Sequence, residues 1–140
     1  MEELRFPEDR GCFGCSPSNP VGLGLRFYRE GNRVFSRYRI AERFHGAPGV
    51  AHGGIVATIF DEVCCATAVF VTNSYVVTGE LTVRYEAPCP VESELEFSAW
   101  VEDDGHPRYA VIRAQTVLDG NVLARAGGRF FYTSRKVSAP

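Results

Sequence analysis

The sequence predicts an α+β domain in which a curved antiparallel sheet of five to six strands wraps one long helix. Three observations point there. One stretch alone carries helical patterning, and it is apolar almost all round, as a helix enclosed by other structure must be. The remaining chain from Leu23 onward alternates with the two-residue period of strands. These runs are joined by turns too short for anything but antiparallel neighbours, and an enclosed helix of about five turns needs a sheet that curls around it.

The elements follow in order. Residues 1–22 have no clear period and read as an arm or loop ahead of a domain at 23–133, and 134–140 reads as a flexible tail. Runs 23–29 and 33–40 form a first hairpin across Glu30-Gly31-Asn32, where Gly and Asn supply positive φ. A Gly- and Pro-rich loop, Phe44-His45-Gly46-Ala47-Pro48-Gly49, leads to a helix that starts at His52, Gly53 and Gly54 and ends near Val71. In the next strand Tyr75, Val77, Gly79, Leu81, Val83 and Tyr85 share one face and Val76, Thr78, Glu80, Thr82, Arg84 and Glu86 the other. Leu95, Phe97, Ala99 and Val101 alternate with Glu94, Glu96, Ser98 and Glu102. Asp103-Asp104-Gly105 and Asp119-Gly120 then turn the chain into strands at 109–118 and 122–133.

Composition narrows the function. The chain has 140 residues, 45% of them hydrophobic, with 15 Lys+Arg against 17 Asp+Glu and a net charge of -2. That suits one compact domain and gives no basic face for nucleic acid. Of the 15 basic residues only Lys136 is lysine, so 14 are arginine. Coding bias and anion recognition both produce that count. The amino terminus lacks the basic and apolar regions of a signal peptide, and five cysteines are an odd number, so a reduced cytoplasmic location is expected. The longest apolar run, 55–71, is broken by Thr58, Asp61, Glu62 and Thr67 and falls short of the roughly 20 residues that cross a bilayer, so no membrane association is expected.

The helix carries the chemistry. Glycines at its start expose N–H donors with no Cβ in the way, and the positive end of the helix favours a developing oxyanion. Two glycines before a helix also make a plain turn. Asp61 lies amid apolar residues, where an unpartnered carboxylate costs several kcal/mol, so it is either catalytic or paired across a subunit interface. Its face is shared by the small residues Ala57, Thr58, Cys64, Cys65 and Ala68, which would let a ligand approach. Glu62 lies about 100° further round, on the face of Ile55, Ile59 and Ala66, with an arginine as its expected partner. Gly54 and Asp61 are seven residues apart, roughly 10 Å along the axis, too far to grip one carbonyl carbon. Acting together, they require a homodimer with two composite sites.

Other chemistry fits less well. Cys64 or Cys65 with His52 as base would span roughly 18 Å in one chain. Cys12 and Cys15 make a single C-x-x-C without a second half, and His45, His52 and His106 have no ligand spacing, so no metal is expected. Phe27, Tyr38, Phe60, Phe70, Tyr75 and Tyr85 either line an aromatic pocket or simply fill the core.

His52-Gly53-Gly54, followed by an acid nine residues after the His, resembles the signature of the hotdog-fold acyl-CoA thioesterases, in the PaaI-like branch. Cys12-Phe13-Gly14-Cys15, Asn19-Pro20, Gly22-Leu23-Gly24-Leu25 and Leu81-Thr82-Val83-Arg84-Tyr85 extend the likeness. The resemblance implies dimers, often paired into tetramers, that hydrolyse an acyl-CoA or acyl-carrier-protein thioester with no separate cofactor. By position, Asp61 would be general base or nucleophile and Gly53 or Gly54 would polarise the thioester carbonyl. His52 would shape the turn, and Thr78 would hold the water or the carboxylate. Gly46 stands where some members carry an Asn, so the backbone must supply the oxyanion contact. The phosphates of coenzyme A would draw on Arg84, Arg108, Arg125 or Arg129. A non-catalytic acyl-CoA or lipid-binding module of the same fold remains the alternative.

Overall fold

The computed structural model describes residues 1–137, and 138–140, the end of the expected tail, lie outside the described residues. The strands are β1 (Glu2–Leu4), β2 (Phe27–Glu30), β3 (Arg33–Arg39), β4 (Ser74–Tyr85), β5 (Glu94–Asp103), β6 (Tyr109–Leu118) and β7 (Asn121–Lys136), with helix α1 at Gly53–Thr72. They form one antiparallel sheet in the order β1-β2-β3-β5-β6-β7-β4 against which α1 packs. The seventh strand is the addition to the expected count. It comes from the arm, where three residues pair with β2 at the sheet edge. The last strand is longer than expected too, because Ser134–Lys136 continue β7 and Lys136 pairs with Ser74.

Turn chemistry explains the hairpins. Gly31 has φ 61 between β2 and β3, and Asp119 and Gly120 have φ 50 and 80 between β6 and β7. Two consecutive positive φ angles match the twist of the flanking strands. Asn73, at φ 59, ends α1 in the left-handed conformation. That helix spans 20 residues, enough to cross a bilayer, but its Val56, Ile59, Phe60, Val63 and Cys64 are buried in the domain's own core. Phe60 meets Phe97 of β5 edge to face at 5.2 Å, and burying each such ring contributes about 2–3 kcal/mol.

Two features overturn the simple alternation expected of the sheet, and both bear on the site. First, β4 pairs with β7 at one edge while β5 pairs with β3, so the link between β4 and β5 crosses the molecule. That link braces the loop before the helix, through Ala51 N–H to Cys89 O at 2.8 Å and a bridge between Val50 and Pro90. Second, β4 is not one uninterrupted alternation. A bulge falls between Thr78 and Glu80, with Gly79 inside it. Before the bulge Val76 packs on the core and Val77 is 59% exposed; after it Leu81 and Val83 pack inward. One extra residue exchanges the faces. Thr78 is thereby turned toward α1.

Candidate active site

At the helix start, His52 is the N-cap, and its Nδ1 accepts the Gly54 N–H at 2.9 Å. Its backbone carbonyl accepts from Ile55 and Val56 at 2.9 and 3.1 Å. Tyr85, at the far end of β4, donates its hydroxyl to the Gly53 carbonyl. The peptide between Gly53 and Gly54 is thus held at both ends, and the Gly54 N–H is committed within the chain. The Gly53 N–H has no partner among the described residues and lies at the exposed end of the helix. Of the two expected donors, Gly53 is the one left available. Gly46 contributes neither a side chain nor its amide, which bonds Val50 O at 2.9 Å.

Asp61 and Thr78 meet as the resemblance implied: the Thr78 hydroxyl donates to Asp61 Oδ1 at 2.6 Å. Cys65, one turn further along α1, lies 3.4 Å from the same hydroxyl. The threonine proton is already given to Asp61, so the thiol is the donor there. Around Asp61 the half-exposed neighbours are Ala57, Thr58 and Cys65, whereas Cys64 and Ala68 are wholly buried in the core and leave that face. Cysteine hydrolysis fits poorly. Burial first, then the Asp61 charge, pushes the Cys65 thiol up to about 12, and burial first, then Cys65, pushes Cys64 well above its ordinary value, so neither supplies a thiolate. The His52 Nδ1 is occupied besides.

Glu62 is the residue whose partners the sequence misassigned. Its carboxylate meets the thiol of Cys12, at 3.5 Å from Oε1, instead of an arginine. Burial pushes its carboxyl above the ordinary carboxylate value, opposed by hydrogen bonds from Cys12 and Cys15 and reinforced by Asp61. The arm that carries those cysteines borders, with α1, β2 and β4, an open pocket of about 800 Å³. Phe27, Tyr75 and Phe6 line it. The other aromatic candidates are engaged otherwise: Phe60 in the core, Tyr38 donating to Leu23 O, Tyr85 on Gly53 and Phe70 tilted against Phe6.

The four arginines do not converge on Asp61 within one chain. Arg84 pairs in register with Arg125, and Glu80 with Arg129, all exposed on the face of the sheet away from α1. Arg125 is bonded to Glu86 at 3.0 Å and Arg129 to Glu80 at 3.4 Å. Arg108 lies over the Phe131 ring, 5.9 Å from its centroid. Arg84 is the one of the four without a side-chain partner among the described residues.

The long helix wrapped by an antiparallel sheet, with an acid in its middle and glycines at its start, defines a hotdog-fold protein. Residues 48–106 match the family model of the thioesterase superfamily. An acyl-coenzyme A thioesterase, THEM4 of Xenopus laevis, is 35% identical over 74 residues, which are 50% of this chain and 33% of that protein, so the chain spans about a third of this relative. Among solved structures, smu.793 from Streptococcus mutans, bound to acetyl CoA, superposes with TM-score 0.72 at 18% identity over 80% of this chain and 90% of that one. The Escherichia coli PaaI protein, from the phenylacetic acid degradation operon, gives TM-score 0.73 at 15% identity over 83% and 84%. At those identities the likeness is one of fold.

Proposed function

We propose that the chain is a cytoplasmic acyl-CoA thioesterase of the PaaI-like branch that acts as a homodimer, with Asp61 of one protomer facing the Gly53 N–H of the other. The observation that carries this reading is the division of labour on α1. Asp61 is held by Thr78 on a half-exposed face of small residues, while the free amide lies eight residues away, roughly 12 Å along the axis. A second copy supplies the missing half. The surface it would cover is the same face of α1 together with the outer edge of β4, which has no strand beside it among the described residues and exposes Val77.

In this mechanism the Asp61 carboxylate takes a proton from water as the water oxygen bonds to the thioester carbonyl carbon. Negative charge gathers on the carbonyl oxygen, stabilised by the Gly53 N–H and the helix start. Collapse breaks the C–S bond, and the thiolate leaves with the proton that Asp61 had taken, giving free acid and coenzyme A. Direct attack by Asp61 through an acyl anhydride gives the same products. No separate cofactor is needed. The cavity of about 800 Å³ beside Cys65 falls in the size range of small-molecule pockets and would take the acyl group. The acetyl-CoA complex of the Streptococcus mutans structure supports the ligand class.

Asp61→Asn tests the reading. Turnover of short, long and aryl acyl-CoA thioesters should fall by about 10²–10⁴ while ligand binding and the dimer persist. Unchanged turnover would remove Asp61 from the chemistry. Binding without turnover by the parent on every thioester would leave a non-catalytic acyl-CoA module.

A further inference from the structure

Cys12, Cys15 and Glu62 form a group that the thioesterase reading does not use. Glu62 follows Asp61 directly but points about 100° away from it around the helix, into the loop of the arm that carries the two cysteines. Its two carboxylate oxygens lie 3.5 and 3.7 Å from Cys12 Sγ. One ligand atom from each of Cys12, Cys15 and Glu62 can be chosen so that all lie within 4.8 Å of one another.

The loop is built around that carboxylate. A Cβ on Gly14 would lie 2.3 Å from Glu62 Cδ, so only glycine lets the C-x-x-C turn close over it. The turn itself is fixed by backbone bonds: Ser16 N–H to Cys12 O at 3.0 Å, Leu23 N–H to Phe13 O at 2.8 Å and Leu25 N–H to Gly14 O at 2.9 Å. The Asn19 amide adds a bond to Gly11 O at 2.9 Å. No basic side chain bonds the Glu62 carboxylate among the described residues.

We propose that Cys12, Cys15 and Glu62 bind a thiophilic divalent cation of the Zn²⁺ class. A tetrahedral ion with bonds of about 2.3 Å to sulfur and about 2.1 Å to oxygen sets its ligands roughly 3.6 Å apart across an S···O edge and roughly 3.8 Å across an S···S edge. The Cys12–Glu62 separations already have that size. Two sulfurs with one carboxylate select a borderline ion over Mg²⁺ or Ca²⁺, which take oxygen. All three side chains line the pocket of about 800 Å³, so the fourth position opens to a water. Binding exchanges the two thiol protons for two metal–sulfur bonds, and it staples the arm to α1 next to Asp61. The site takes no part in the thioester chemistry proposed above, although it shares the pocket assigned there to the acyl group.

The test uses the full chain, reduced and stripped with a chelator, titrated with Co²⁺ and then Zn²⁺. One Co²⁺ per chain should bind with thiolate-to-cobalt charge-transfer absorption and the intense visible bands of a tetrahedral ion, both lost when Zn²⁺ displaces it. Cys12→Ser and Cys15→Ser should abolish the charge-transfer band or weaken binding at least tenfold, and Glu62→Gln should weaken it about tenfold or more, with metal-free circular dichroism unchanged. A second readout needs no variant: among the five free cysteines, Zn²⁺ should protect Cys12 and Cys15 from alkylation while a chelator restores their reaction. The proposal is overturned if the parent gives no thiolate–cobalt band, if Cys15→Ser binds like the parent, or if protection maps to Cys64, Cys65 or Cys89.

Discussion

The His52 side chain takes the Gly54 N–H at 2.9 Å, and this leaves the Gly53 N–H as the donor at the start of α1. Gly53→Pro should therefore remove the proposed oxyanion contact and little else. Proline is tolerated at a first helical position, and His52 already has the extended backbone, φ -57 and ψ 133, that a residue before proline adopts. Thioester turnover should fall by about 10²–10³. Gly53→Ala keeps the N–H, and its Cβ would rest 3.5 Å from Tyr85 Oη, so it should keep most of the activity. Mixing inactive Gly53→Pro and Asp61→Asn chains should restore turnover, since half of the mixed dimer's sites would carry both native groups. Equal losses in Pro and Ala variants would mean that the amide is not the donor.

Thr78 is bound to Asp61 at 2.6 Å, and its contribution is separable from its shape. Thr78→Val keeps the branched side chain on β4 and deletes the hydroxyl. A hydrogen bond to a charged group is worth about 1.5–3 kcal/mol, so kcat should drop roughly tenfold to a hundredfold with little change in KM. Thr78→Ser should return most of that loss, as steady-state kinetics of the three proteins would reveal. A serine variant as slow as the valine one would point to packing instead of hydrogen bonding.

Gly79 holds the bulge that turns Thr78 toward the helix. A Cβ there would sit 2.4 Å from the Phe131 ring, which is itself packed on Tyr109 at 5.1 Å. Gly79→Val should overpack this contact, lowering stability by about 1–3 kcal/mol and, by displacing Thr78, lowering turnover as well. Denaturant melts and rates measured together test the coupling. A variant with parental stability and rate would detach the bulge from the site.

The same strand marks the limit of what the sequence discloses. The helix, its central acid and the Asp119-Gly120 turn were legible because each is a local pattern: a period, an interruption of that period, a pair of residues suited to positive φ. The bulge was not, since a two-against-one count belongs to β4 and β7 jointly and Gly79 alternates without fault in its own strand. The cap on Gly54 depends on a side-chain rotamer, so either glycine could have been the donor. Cys12 and Glu62 are 50 residues apart, and nothing near either residue names the other. For the arginines the strand assignment held, yet the face did not follow from it, because the sheet's register sends Arg84, Arg125 and Arg129 outward.

Glu62 also makes stability depend on pH in a direction opposite to Glu3, Glu8 and Asp9. Burial raises its pKa above the ordinary 4.5, against the smaller effects of Cys12 and Cys15 that lower it and with that of Asp61 that raises it. Between the ordinary and the raised value the folded chain holds a proton that the unfolded chain has released. The stabilisation is full below about pH 4.5 and is lost as pH rises through the folded pKa. Glu3, Glu8 and Asp9, lowered chiefly by hydrogen bonds from Arg26, Arg10 and Ser16, act with the opposite sign, so the parent's own curve mixes the two. The difference between parent and Glu62→Gln isolates the buried group. With chelator present, urea melts across about pH 4–8 should find the parent losing stability relative to the glutamine variant as pH rises. A difference that stays flat, or that grows in the parent's favour, would mean that the carboxylate is already ionised in the fold and that burial does not govern it.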